Sequence, residues 1–520
     1  MTTTTETTVT FLKNTNQALG IGRFSVDFMS GAIGEPSQEV LNRTTLFFTD
    51  AVLCGLSALA VKTNAPTVLR DEALSFPTKG GATVFGSDIR VFPEKAILAN
   101  CAAVREWDSN GTNFGYNPEL GHTAGEFGHN DFYSVPVAAA QVMGLDGAAA
   151  LRGMVLLDEI RGRLAEVFSL KTYKIDHVVH GAIASGAVYG AMCGGTPEQI
   201  ESAIGMSVAH FIPWRAIRAG KQLSDSKGAS AAISTEVAIV AMKRAMNGFM
   251  GPRDIFRNPE ALFRQFENTD GDSPFDLVFS HSGSNFAVMG MHFKIGLYEH
   301  QSAGALQGLL HLIEQHPTLA EDPSQIRCIK IIAYEPAFGI IGDPAKRNPK
   351  TRQSADHSMV YIVSTMLRKA QEIVASEGVV FFTQSNDEIW KRLMLTPYDF
   401  DLDAITHEST RAIMDTIVFE HGGKEYDDKY PDGIPTSVHI TLNDGTELDS
   451  GLIMYPSGHA RNDTCNLEDV LQAKFAMHGQ IAMNDSSTII ERCSAVASLD
   501  RDSMLSIWDV ELADRPVYKD

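Results

Sequence analysis

Through the first 280 residues, apolar side chains return every three to four positions, the spacing that gives a helix one buried face. The stripe is clear over residues 38–60 and recurs over residues 135–168, 185–206 and 229–245. Residues 93–107 keep the same period through Ala96, Asn100, Ala103 and Trp107, and Pro93 suits a first helical position. Thr196-Pro197-Glu198 sets an N-cap, a first-position proline and a first-turn acid in a row, which predicts a helix start. Asn110-Gly111 tolerates the left-handed conformation of a C-cap and predicts the end of the helix from Pro93. The stretch from Thr112 to His129 is rich in Gly, Asn and His and poor in aliphatics. A connection of that length reads as a binding loop; the plainer alternative is a solvated surface loop.

After about Ser280 the pattern changes. Residues 326–334 are short and Ile-rich, and Val438-His-Ile-Thr-Leu442 alternates ahead of Asn443-Asp444-Gly445, a hairpin turn signal. These strands are separated by helical runs such as residues 358–373, so a second, mixed α/β domain is expected. Residues 467–482 are helical in period again, which returns the C-terminus to the first domain.

With 520 residues, of which 44% are apolar, two domains and a large core are expected. A net charge of -21 argues against nucleic acid or an anionic membrane as partner, and leaves an anionic substrate to be met by local clusters of cations. Six cysteines without a CxxC pair fit reduced thiols and disfavour a cysteine-ligated iron–sulfur cluster. The N-terminal residues have the character of neither a signal nor a transit peptide, so a cytoplasmic location is expected. The most membrane-like run, residues 181–195, is short for a span and dominated by small residues, and reads as a tightly packed core helix.

Groups suited to chemistry gather at four places. The loop holds Asp108, Thr112, His122 and His129. Asp176-His177 and His180 precede the small-residue helix, where an imidazole would meet a helix N-terminus. Residues 214–227 carry Arg215, Arg218, Lys221 and Lys227 against Asp225 alone, a candidate clamp for a carboxylate or phosphate or else a solvated charged face. Residues 291–300 hold Lys294 and His300 near the inferred domain boundary, where small-molecule sites tend to form. For each histidine the alternative is a hydrogen-bonded structural residue. No HExxH pattern, dinucleotide-binding or P-loop glycine motif in context, or GxSxG elbow is present, so metal, nucleotide and serine-hydrolase chemistry find little support.

In chain order, Thr45-Leu-Phe-Phe-Thr-Asp-Ala-Val-Leu-Cys-Gly-Leu56, Ala103-Val-Arg-Glu-Trp-Asp-Ser-Asn-Gly-Thr112, Gly128-His129, Asp176-His177-Val178, Lys227 with its Ala-rich helix, Phe293-Lys294-Ile295, Arg352-Gln-Ser-Ala-Asp-His357 and Tyr455-Pro-Ser-Gly-His-Ala-Arg461 resemble motifs of the MmgE/PrpD family. The resemblance spans residues 39–475. It implies a mainly α fold: a large all-helical domain made from both chain ends (1–290 and 461–520) with a smaller α/β lid inserted (291–460). It also implies a homodimer with neither metal nor organic cofactor. The implied site comprises Asp108, His129, His177, Lys227 and Lys294 as catalytic groups, with Thr112 and His300; Arg218 and Lys221 of the cationic island join them as substrate contacts. The implied activity is removal of water from 2-methylcitrate or a similar carboxylate; decarboxylation or epimerisation of a related acid, or a non-catalytic dimer, are the alternatives. Gly111, Asn130, the long 112–129 loop and Ile217-Arg-Ala-Gly-Lys-Gln222 depart from the family pattern and weaken transfer of substrate more than of fold.

Overall fold

Helices form where the apolar period predicts them, and local chemistry sets their ends. The computed structural model describes residues 2–4, 7–218 and 222–520. Lys221 lies outside these described residues. The run over 135–168 is divided by Gly144, left-handed at φ 63°, into Ser134–Met143 and Gly147–Val167, the second capped by Asp146. The run over 185–206 likewise divides into Val178–Met192 and Pro197–His210, the second opened by a reciprocal capping box between Thr196 and Gln199. Leu467–Ala482 packs on Gln38–Ala60.

The fold is mainly α with few, short strands. Pro93–Glu106 and Val178–Met192 both pack on Asp225–Met246, and Gln38–Ala60 packs on Pro93–Glu106. Small residues make this approach close: a Cβ at Gly55 would lie 3.2 Å from the Val104 backbone nitrogen of the facing helix. Among the described residues, the helix able by length and composition to cross a membrane is Gln38–Ala60 rather than the 181–195 run, and 83% of its most apolar window is buried inside the protein. The larger sheet orders Glu447–Asp449, Thr436–Leu442, Ile326–Ala333 and Ile417–His421, with the last pair parallel. Ile329 sits opposite both Ile440 and Ile417, and Ala303–Gln315 packs against the Thr436–Leu442 strand.

Two local expectations are corrected. The helix from Pro93 ends at Glu106, four residues before Asn110. Tertiary hydrogen bonds extract the next residues from the helical path: Trp107 Nε1 donates to Ser57 Oγ (2.9 Å), Ser109 Oγ to the Gly296 carbonyl (2.9 Å) and Asn110 Nδ2 to Asp131 Oδ1 (2.6 Å). Gly111 is not left-handed; it is small because a Cβ there would lie 2.4 Å from the Phe47 ring. The 112–129 stretch is an antiparallel hairpin, Thr112–Phe114 with Phe127–His129, which sets Thr112 directly opposite His129.

Candidate active site

Between the end of Pro93–Glu106 and the start of Asp225–Met246 lies a buried array of alternating charge. Asp108 is fully buried, with Arg105 at 3.2 Å, His357 Nδ1 at 3.2 Å, Lys227 at 3.4 Å and Lys294 donating to its other oxygen. Asp356 continues the array, accepting from Lys227 (2.9 Å) and His357 Nδ1 (2.7 Å), with Arg352 at 3.4 Å. Burial pushes the Asp108 carboxyl up, but Arg105, Lys294, Lys227 and His357 together hold it well below the usual carboxylate range. Burial lowers both lysines, and their aspartates partly restore them. This buried, paired array is the floor of a cleft.

The cleft itself is lined by Arg105 and His357 from the floor and by a different set of groups on its walls. His129 comes from the hairpin and His177 from the residue before Val178–Met192, with ring centroids 5.2 Å apart. Arg215, Arg218, Glu299 and Lys346 face the same space, and Phe114, Phe127, Ile340 and Ile341 close it. His129 Nδ1, His177 Nε2 and Arg215 Nη1 are buried without hydrogen-bond partners. Burial, then Arg105 and Lys294, drive the His129 imidazole far below its ordinary value; burial does the same to His177, with Asp176 opposing. Both rings are therefore neutral at physiological pH. Burial brings Lys346 down to about 8 and Glu299 up to about 7. A larger hollow beside Ile326, Leu367 and Ile413 has neither imidazole nor cation in its lining and offers no comparable chemistry.

The sequence matches the MmgE/PrpD N-terminal domain over residues 28–273 and the MmgE/PrpD C-terminal domain over residues 298–376. The chain belongs to the MmgE/PrpD family. It is 26% identical over 452 residues to a mitochondrial 2-methylcitrate dehydratase of Yarrowia lipolytica, covering 85% of this chain and 80% of that protein. It is 24% identical to the 2-methylcitrate dehydratase of Escherichia coli K12, over 79% of this chain and 80% of that one. A fungal alkylcitrate dehydratase is 24% identical over 63% of this chain and 60% of its own length.

Within this MmgE/PrpD chain, the structure brings Asp108, His129, His177, Lys227 and Lys294 into one region. It assigns them different positions: His129 and His177 line the cleft, whereas Lys227 and Lys294 lie beneath it, bound to Asp108. Thr112 also lines the cleft, but its hydroxyl donates to the Gly128 carbonyl within the hairpin (2.9 Å). Arg218 is held by Asp176 in a two-nitrogen contact, so Arg215 is the wall guanidinium left with an unpartnered nitrogen. His300 is 1% exposed, stacked 5.2 Å from His292 and 5.5 Å from Phe114, and it is the preceding Glu299 that reaches the cleft. His122 pairs with Glu166 at 3.0 Å, a structural contact. Sequence reasoning missed Arg105, Glu299, Lys346, Asp356 and His357 as site residues, although Asp356 and His357 stand in one of the matching motifs.

Asp108, Asp356 and His357 bring three metal-ligand atoms within 4.8 Å of one another, the one such group among the described residues. Lys227 already bridges the two carboxylates, and Lys294 and Arg105 balance Asp108. A divalent ion there would displace cations the protein itself supplies, so the donor set fits an ion-pair array better than a metal site.

Proposed function

We propose that this protein is a hydro-lyase for a small citrate-like polycarboxylate, removing water from 2-methylcitrate or a close 2-alkyl relative by proton abstraction next to a carboxylate. The observation that carries the reading is the pair of neutral, buried imidazoles with unpartnered nitrogens facing a cleft lined by cations. Their surroundings divide the work. His177 Nδ1 lies 3.6 Å from Asp176 Oδ1, which favours a proton on Nδ1 and a free lone pair on Nε2, the arrangement of a base. His129 Nε2 lies 3.4 Å from Arg105 Nη2 and accepts from it, which leaves the proton on Nδ1 and makes His129 a donor to the substrate.

In this mechanism Arg215 and Lys346 receive substrate carboxylates. His177 takes the carbon-bound proton, and negative charge builds on the adjacent carboxylate as an enolate-like group. Arg105 and the His129 N–H, both buried, stabilise that charge, and the fixed floor keeps them aimed before the reaction starts. The relatives named 2-methylcitrate and alkylcitrate dehydratases support the choice of substrate class. The test is to treat the enzyme with a chelator and offer it a panel of citrate-like acids. Turnover is followed by absorbance of the unsaturated product and by mass spectrometry. The expected result is loss of one water from 2-methylcitrate or a longer 2-alkyl citrate; loss of carbon dioxide instead, or no turnover on the whole panel, overturns the reading.

A further inference from the structure

Loss of water needs more than a base, because a hydroxyl is a poor leaving group until a proton reaches it. Resting on the dehydratase reading, we propose that Glu299 is the general acid that protonates the departing hydroxyl.

Among the described residues, Glu299 supplies the one carboxyl group in the cleft lining, where it faces Arg215, Lys346, His129 and His177. It is 9% exposed and fixed from behind. Its backbone N–H donates to the Asp356 carbonyl (2.9 Å), its Oε2 accepts the Gln301 backbone N–H (2.8 Å), and its Oε1 accepts a longer bond from Gln301 Nε2 (3.4 Å). Capping the short helix His300–Ser302 needs only the Oε2 acceptor, and does not account for a carboxyl placed in the wall of the cleft. Burial and the Asp108 carboxylate raise this carboxyl to about 7, against Lys294, the Gln301 N–H and Lys346. A polycarboxylate entering the cleft adds negative charge beside it and favours the protonated form further, so substrate binding loads the acid. Of the other lining groups, guanidinium is too weak an acid, the buried imidazoles carry no spare proton, and the Lys346 ammonium, lowered to about 8, is engaged in this mechanism by a substrate carboxylate.

The step balances. His177 Nε2 takes the proton from carbon, and the electron pair of that C–H bond becomes the new C=C bond. The C–O bond pair leaves with oxygen, and the Glu299 proton completes water. Imidazolium and carboxylate remain, and proton exchange with solvent restores both.

Glu299→Gln keeps an oxygen for the Gln301 N–H and removes the acid. On the hydroxy substrate it should reduce kcat by about 10² to 10⁴-fold, the usual contribution of a general acid, and abolish the fall in wild-type kcat/KM as pH rises through neutrality. On the analogue carrying fluorine in place of the departing hydroxyl, which needs less protonation to leave, the same variant should lose less than about tenfold. Retention of over a third of wild-type turnover, or equal losses with both leaving groups, overturns the proposal, the second because it marks a positioning role. Should the variant fail to fold, the wild type is read directly. A protonated-carboxyl band in the infrared spectrum with a non-reacting tricarboxylate bound at neutral pH is expected, and absence of any such band overturns the assignment. A wild type that dehydrates 2-methylcitrate while Glu299→Gln does so equally well sinks this inference alone; a wild type inactive on the whole panel sinks the dehydratase reading and this step with it.

Discussion

The floor of the cleft and its walls are both buried and both polar, but they differ in how their charges are answered. On the floor, Arg105, Asp108, Lys227, Lys294, Arg352 and Asp356 each have an opposite charge within 3.4 Å. On the walls, Arg215 and Lys346 form no ion pair among the described residues, and His129, His177 and Arg215 each keep an unpartnered nitrogen. Leaving a buried polar group unmade costs about 1 to 3 kcal/mol. A chain that leaves several in one place, next to an array of paired charges, is holding them for a ligand. The floor preorganises and the walls react. Substitutions on the two should therefore fail differently: wall variants in turnover with the fold intact, floor variants in stability first.

The largest separation is expected at His177. His177→Gln removes the proposed base without touching the floor, so kcat/KM should fall by roughly 10² to 10⁴-fold while the melting temperature stays within a few degrees. Loss of less than tenfold would move the base elsewhere, His129 being the next group to test.

Lys294→Met makes the opposite test. Removing one partner from a buried ion pair costs about 3 to 5 kcal/mol, because the charge left behind stays desolvated. Denaturant unfolding should show a loss of that size, with turnover falling along with the folded fraction. The pH dependence follows from Asp108. Its folded-state pKa lies well below the unfolded value of about 3.9, so its stabilisation is present above that value and is lost as pH falls through and below it. Without Lys294 the folded pKa rises towards the unfolded one. The acid-induced loss of stability seen in the wild type below about pH 4 should then shrink, since less remains to be lost. A variant as stable as wild type would remove Lys294 from the floor.

On the walls, Arg215→Ala should raise KM more than it lowers kcat. A charge-assisted hydrogen bond to a substrate carboxylate is worth about 1.5 to 3 kcal/mol, or roughly 10 to 150-fold. Arg218→Ala should act through Asp176 and His177, so its effect and that of His177→Gln should not add. Equal, additive losses from both would mean that Arg218 meets substrate directly.

How much of this could be read from the chain depends on which residues are asked. The helices and their caps were legible because period and capping are local, as at Thr196 and over residues 467–482. The end of the helix from Pro93 was not, because Trp107, Ser109 and Asn110 are drawn off by Ser57, Gly296 and Asp131, partners distant in sequence. Asp108, His129, His177, Lys227 and Lys294 could be gathered from motifs, but their division into floor and wall could not, since it depends on which charges face each other across more than a hundred residues. The hairpin was missed because its strands are three residues each and carry no alternation long enough to count. Glu299 is not legible beside His300, because one position along an irregular segment reverses which side chain faces the cleft.

That last choice yields the smallest expected effect and a sharp one. Both ring nitrogens of His300 are buried without partners, and its imidazole lies against His292 and Phe114 instead of lining the cleft. Burial, followed by His459 and Lys294, holds the ring well below its ordinary value, so it is neutral at physiological pH and contributes no charge to substrate binding. Replacing an unsatisfied buried polar group by an apolar one of similar shape is close to neutral or stabilising. His300→Leu should therefore keep turnover within about threefold of wild type and leave the unfolding midpoint unchanged or slightly raised. It retains the backbone that carries Glu299, so the wall keeps its acid. A fall in kcat of a hundredfold or more with the fold intact would place the imidazole in the reaction, extend the reactive wall past Phe114 to His292 and His459, and require Glu299 and His300 to exchange the positions assigned to them here.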